Sequence, residues 1–260
     1  MSSAPVDEDR LLQVTVAGGV ARLVLDSPGN RNALSRALRA QLREALDAAL
    51  ADDAVRVVVL DHTGRVFCSG MDLSEAAGAG AGDQGVRELP DLLRTIWTAP
   101  KPVVAAVRGP ARAGGVGLAA ACDVVVAASS ATFGMSEVRL GLVPAVISAV
   151  VLPRMLPHVA HRLMLTGEVF DAATAAAGGL VDLVAPDDGV DAAVDGQVLA
   201  LAAGSPWALA ETKRLLRAGG LRGSFDDLLE LSARAFAGED GQEGIAAFRE
   251  RRPARWVPSL

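Results

Sequence analysis

Residues 109–144 read GPARAGGVGLAAACDVVVAASSATFGMSEVRLGLVP, and their pattern decides the fold. A glycine-rich turn opens an alanine-rich helix, the run Val124-Val125-Val126 follows as a strand, and a lone acid, Glu137, sits in a loop rich in Gly, Ser and Pro. A helix N-terminus presents unpaired N–H groups and the positive end of the helix dipole, so Gly114-Gly115 can stabilise an anion held close to the backbone. An acid delivered by the next loop completes a minimal proton-transfer site.

Working outward, 11–25 reads as two strands around the turn Ala17-Gly18-Gly19, and Ser27-Pro28-Gly29-Asn30 breaks the pattern. Leu34, Leu38, Leu42, Leu46 and Leu50 recur every four residues, which predicts an amphipathic helix over 33–50. The apolar run 55–60 has strand length and suits a strand covered on both faces. A mobile, low-complexity loop is expected over 76–85, AAGAGAGDQG. Gly80, Gly82 and Gly85 within it fit G-x-G-x-x-G literally, but no strand precedes them and no apolar helix opens there, so a dinucleotide fingerprint is rejected. A helix over 91–98, a strand over 103–107, helices over 153–166 and 171–178 and a strand over 180–184 complete an α/β pattern. Beyond Gly204-Ser205-Pro206 only helices are predicted, over 207–217, 225–236 and 242–251. The expected division is a core, 1–203, and a helical region, 204–260.

The chain has 260 residues, 51% hydrophobic and 22% charged, enough length to bury one large core. Its formal charge of -6 and the lack of a Lys/Arg cluster argue against a nucleic-acid partner. No stretch reads as a signal peptide or membrane span, and two cysteines, Cys68 and Cys122, are too few for a disulfide framework, so the cytoplasm is the expected compartment. A thiol nucleophile at Cys68 near His62 is less well supported than a small buried thiol. His158 and His161 lack a partner at ligand spacing, so no metal site is expected. No G-x-S-x-G surrounds a serine.

Several blocks together carry a family resemblance: Asn32-Ala33-Leu34; 55–60 followed by Gly64-Arg65-Val66-Phe67-Cys68-Ser69-Gly70-Met71-Asp72-Leu73; 101–107; Gly114-Gly115 through Ala121-Cys122-Asp123; 133–144; Leu165-Thr166-Gly167 to Gly179-Leu180-Val181; and 243–251. In this order and spacing, from about 11 to 256, the chain resembles the crotonase (enoyl-CoA hydratase/isomerase) superfamily. The resemblance implies a spiral of ββα units with a C-terminal helical trimerisation region. It implies a homotrimer, or a hexamer built as a dimer of trimers, and an acyl-CoA thioester substrate, with coenzyme A part of the substrate and no separate cofactor. It also implies an oxyanion hole made by the N–H groups of Met71 and Gly114, with Glu137 as acid/base. Met71, Asp72, Leu73 and Ser74 match the segment that contacts CoA, and Gly114, Arg31 and Ala33 join them as substrate-binding candidates. Arg65, Arg251 and Arg252 are further candidates for the CoA phosphates.

Two departures matter. Well-studied hydratases of the family carry a second glutamate three residues after the oxyanion-hole glycine, where this chain has Gly117. A single glutamate at the Glu137 position is the pattern of the double-bond isomerases. The run 136–148, with Ala145-Val146-Ile147-Ser148 in place of a glycine-rich segment, instead looks like the subgroup of hydratases of branched or carboxylated enoyl-CoAs. Ala145 stands where dienoyl-CoA isomerases and aromatic-CoA dehalogenases place an aspartate, so neither chemistry is expected. The reading is an enoyl-CoA hydratase acting through Glu137. Its alternatives are a Δ3,Δ2-enoyl-CoA isomerase and a catalytically impaired acyl-CoA-binding protein.

Overall fold

The computed structural model describes residues 10–76, 88–218 and 225–257, and all but the first residue of the predicted 76–85 loop lies outside them. Apolar strands of two to six residues alternate with helices and build two sheets. In the larger, β1 (Leu12–Ala17) and β2 (Val20–Leu25) form an antiparallel hairpin. Parallel pairing then adds β3 (Val57–His62), β4 (Val103–Val107), β6 (Val124–Ala128) and β9 (Leu183–Ala185) in that order. Parallel neighbours need crossovers, and helices supply them. α1 (Arg36–Ala51) joins β2 to β3, α2 (Leu73–Ala76) and α3 (Glu88–Thr98) lie between β3 and β4, and α4 (Gly114–Ala121) leads into β6. Every residue of β3 and β4 is buried, as expected of strands covered on both faces. The smaller sheet pairs β5 (Ala111–Arg112) with β7 (Thr132–Gly134) in parallel and β7 with β8 (Val169–Asp171) antiparallel.

All eight residues of α4 are buried. A helix with no polar face belongs in the interior, and α4 lies between α3 and α5 (Ala145–Val151). Two predicted boundaries shift for local reasons. The helix expected from residue 33 starts at Arg36, because Ser35 caps it by accepting from Leu38 N–H at 3.2 Å, which leaves Leu34 outside the helix. The helix expected over 153–166 starts later, as α6 (Pro157–Thr166), because Pro157 opens it where its missing N–H costs nothing, and α5 before it was not predicted. α7 (Ala172–Ala177) is capped by Asp171.

α8 (Val190–Ala202) escaped the sequence reading because its apolar residues lie on every side of it, although it buries only the stripe Val190, Val194, Val198 and Ala202. α9 (Pro206–Arg217), α10 (Phe225–Ala237) and α11 (Glu239–Glu250) follow as predicted. α9 is held to the core by buried Lys213, whose Nζ donates to Asp123 at 2.6 Å and to the Ile96 carbonyl at 3.0 Å, and by Arg217 stacked 3.5 Å over Trp97. Trp256 Nε1 donates to the Ala203 carbonyl at 3.0 Å, closing the C-terminal helices back on the end of α8.

One buried polar network ties the strand ends together. Asp61 accepts from Arg108 Nε and Nη2, both at 3.0 Å, and from Arg22 Nη1 at 3.2 Å. His62 Nε2 accepts the Arg108 backbone N–H at 3.1 Å, so its proton resides on Nδ1, facing the Thr63 carbonyl at 3.2 Å. Burial lowers the His62 pKa, outweighing the attraction of Asp61. The unfolded chain therefore binds the proton more readily. Stability is complete above about pH 6.5, the unfolded value, and is lost as pH falls below it. Tm measured at pH 7.5 and 5.5 is expected to drop on acidification, and to drop less in His62→Asn; an equal drop in the variant contradicts this assignment.

Candidate active site

Three backbone segments converge at the start of α4. The first, 27–34, is fixed by Asn32, a buried residue whose Nδ2 donates to the carbonyls of Thr63 at 3.1 Å and Val66 at 2.8 Å while its Oδ1 accepts from Ser27 N–H at 2.7 Å. Leu34 then forms a parallel bridge with Met71, its N–H donating to the Gly70 carbonyl at 2.8 Å. In a trans peptide the N–H points opposite to the carbonyl. Because Gly70 C=O faces Leu34, Met71 N–H is turned away from that strand.

The second segment is 68–71, with Gly70 at φ +95°, a conformation open to glycine. A methyl group on Gly70 would lie 3.1 Å from Ala113 Cβ and from the Arg112 carbonyl, and 3.5 Å from Gly114 N. Only glycine lets these backbones pass so closely.

The third segment is the entrance to α4. Ala113, at φ 46° and ψ −114°, holds a backbone conformation that costs an alanine about 1–3 kcal/mol. Its N–H is spent on the Gly134 carbonyl at 2.9 Å, whereas Gly114 is the first helical residue, and its N–H has no acceptor within the helix. Among the described residues neither Met71 N–H nor Gly114 N–H meets an acceptor. The peptides of the two predicted donors thus lie side by side, Leu34 Cδ1 coming within 3.1 Å of where a Gly114 methyl would stand.

Glu137 begins a 3-10 turn, Glu137–Leu140, three residues after Gly134, so the β5–β7 pairing sets that turn beside the α4 entrance. Its Oε2 is buried and has no hydrogen-bond partner. Desolvation raises the Glu137 pKa, against a smaller lowering from its own backbone N–H. A buried carboxyl oxygen without a partner is rare and points to function.

The other predicted binding residues lie on two neighbouring segments, 31–33 and 72–74. Asn30 Nδ2 lies 3.5 Å from Asp72 Oδ2, joining the loop that carries Arg31 and Ala33 to the segment 72–74. Asp72 Oδ1 accepts from Ser74 N–H at 3.0 Å and from its hydroxyl at 2.6 Å, which lowers the Asp72 pKa. Arg31 and Leu73 are exposed and Ala33 is buried. Arg65 is also exposed, whereas Arg252, far from these segments in sequence, is committed to Glu243 and Glu250.

Gly117 carries information that sequence reasoning missed. A methyl there would lie 2.6 Å from Ile147 Cγ2, 3.2 Å from Ile147 Cβ and 3.4 Å from Leu93 Cδ1. The space a second glutamate would enter is filled by the buried Ile147 of α5. The two departures read separately in the sequence, glycine at 117 and Ala-Val-Ile-Ser at 145–148, are one packing arrangement. Glu137 therefore stands without a second carboxylate at position 117.

Cys68 and Cys122 are buried, and burial pushes both thiols up to about 12, which makes them inert. His158 and His161 are exposed. The described residues contain no cluster of His, Cys, Asp or Glu able to hold a metal, and no helix among them is long and apolar enough to cross a membrane.

Residues 15–258 match the family model described as Enoyl-CoA hydratase/isomerase. The 2,3-dehydroadipyl-CoA hydratase of Escherichia coli is 35% identical over 237 residues, covering 90% of this chain and 93% of that protein. The crystal structure of an enoyl-CoA hydratase from Shewanella pealeana superposes with a TM-score of 0.89 at 33% identity, covering 96% of this chain and 97% of that one. Pseudomonas aeruginosa AtuE gives a TM-score of 0.89 at 36% identity, covering 95% and 100%. The architecture is the crotonase fold. The chain belongs to the enoyl-CoA hydratase/isomerase family.

Proposed function

We propose that the protein is an enoyl-CoA hydratase that adds water across the double bond of a 2-enoyl-CoA thioester, with Glu137 as its acid/base group. The observation that carries this reading is the buried, unpartnered Oε2 of Glu137 beside the α4 entrance. Glu137 takes a proton from water as the oxygen bonds to Cβ, and the C=C electron pair moves to form an enolate. The negative charge on the thioester oxygen faces Met71 N–H and Gly114 N–H. Two such preorganised donors each contribute about 2.7–4 kcal/mol to the transition state. The protonated Glu137 then delivers its proton to Cα, giving the 3-hydroxyacyl-CoA.

The packing of Ile147 against Gly117 favours a second reading. With one carboxylate, Glu137 removes a proton from C2 of a 3-enoyl-CoA and returns it to C4, through the same stabilised enolate. This Δ3,Δ2 isomerisation needs no positioned water. Incubation with crotonyl-CoA and, separately, with a 3-enoyl-CoA separates the readings: 3-hydroxyacyl-CoA from the first supports hydration, and 2-enoyl-CoA alone from the second supports isomerisation. No turnover of any 2-enoyl-CoA, branched or carboxylated ones included, overturns the hydratase reading. The names of the relatives support an enoyl-CoA substrate, and the resemblance of the Ala-Val-Ile-Ser segment supports a branched or carboxylated acyl group.

A further inference from the structure

Arg39 is an arginine in the core, 3% exposed, on the first turn and a half of α1. Burying a guanidinium demands paired charges and filled hydrogen bonds. Its Nε and Nη2 donate to Glu88 Oε2 at 3.1 and 2.7 Å, and Nη1 lies 3.8 Å from Glu75 Oε2. Glu75 in turn accepts the Arg36 backbone N–H at 2.9 Å at the α1 N-terminus, a position that suits an anion. The remaining contact is the informative one: Nη1 donates to the Leu34 backbone carbonyl.

Leu34 touches both candidate donors. Its N–H holds the carbonyl of the Gly70–Met71 peptide, and its Cδ1 packs where a Gly114 side chain would begin. Leu34 lies outside the helix, so helical hydrogen bonds do not fix it. From this connection we infer that Arg39 is a positioning residue for the oxyanion hole: the guanidinium, locked by Glu75 and Glu88, pins the Leu34 carbonyl, and Leu34 sets the Gly70–Met71 peptide against Gly114. The inference rests on the proposed function in taking Met71 N–H and Gly114 N–H as the donors.

Arg39→Met keeps the length and removes the charge, and Glu75 and Glu88, being exposed, remain solvated without it. Binding of butyryl-CoA is compared with that of S-butyl-CoA, a thioether lacking the carbonyl. The wild-type protein is expected to bind the thioester about tenfold more tightly, the worth of two modest hydrogen bonds. In Arg39→Met that preference is expected to vanish while thioether affinity stays within twofold, and kcat/KM for the enoyl-CoA substrate is expected to fall through both a lower kcat and a KM raised by the weaker thioester binding. A merely structural arginine would weaken both ligands alike. Should Arg39→Met not fold, Arg39→Lys, which keeps the charge but lacks the forked donors, is read in the same way. A folded variant that retains the full preference overturns the role of Arg39. A wild-type protein without any preference overturns the oxyanion hole itself, which distinguishes the two failures.

Discussion

Glu137→Gln is expected to reduce kcat by about a thousandfold on whichever enoyl-CoA the wild-type protein turns over, the middle of the range for a positioned acid/base. Glutamine keeps the shape and removes the transferable proton. Folding is not expected to suffer. Desolvation raises the Glu137 pKa, so the folded protein holds the proton more tightly than the unfolded chain, and stability falls as pH rises through the folded value. Replacing the carboxyl by a neutral amide removes that loss, so Tm at pH 8 should equal or exceed that of the wild type. The same shift predicts the rate profile. The base form is lost as pH drops, so kcat/KM in the wild type should decline on an acid limb lying above the ordinary glutamate range, and the limb should be missing from the residual activity of the variant. Activity that survives Glu137→Gln intact would assign the chemistry elsewhere.

The second large effect concerns Gly117 and Ile147. Gly117→Glu alone places its Cβ 2.6 Å from Ile147 Cγ2 and forces a carboxylate into a buried apolar contact. Overpacking of this kind costs about 1–3 kcal/mol, and an unpaired buried acid adds to it. A chain of this size loses about 2–4 °C in Tm per kcal/mol, so a drop of roughly 5–10 °C is expected. Adding Ile147→Gly removes both contacts and opens space for the new side chain. The double variant should recover part of the Tm and raise the ratio of hydration to isomerisation about tenfold over the wild type, because a second carboxylate can then hold the water. A double variant that folds with an unchanged ratio would show that position 117 does not govern the partition.

These effects trace to what the residues state locally and what only packing adds. The glycines at 70, 114 and 115, the turn at 136–144 and the apolar strands carry their meaning in their own identity, so the sheet, the α4 entrance and Glu137 were legible in the chain. Leu34 was not. Its place in the i, i+4 leucine series reads as helix, and the Ser35 cap reassigns it to a bridge with Met71. α8 was invisible because its apolar residues fall on every side of the helix, which erases the periodicity in the sequence, although only the stripe Val190, Val194, Val198 and Ala202 is buried. Ile147 and Arg39 act through contacts with residues 30 and 5 positions away, Gly117 and Leu34. An isoleucine in an apolar segment and an arginine in an amphipathic helix give no local signal of such roles. The Ala-Val-Ile-Ser segment was the available clue, and its meaning emerged only once α5 lay against α4.

Hydration and isomerisation share one step, the exchange of a proton at Cα against an enolate held by two N–H groups. Butyryl-CoA has no double bond, so it reports that step alone. In D2O the wild-type protein is expected to incorporate deuterium at C2 of butyryl-CoA, read by mass spectrometry, and Glu137→Gln is expected to abolish the exchange while still binding the thioester. Exchange that continues undiminished in Glu137→Gln, or its absence from a wild-type protein that binds butyryl-CoA, would contradict the account.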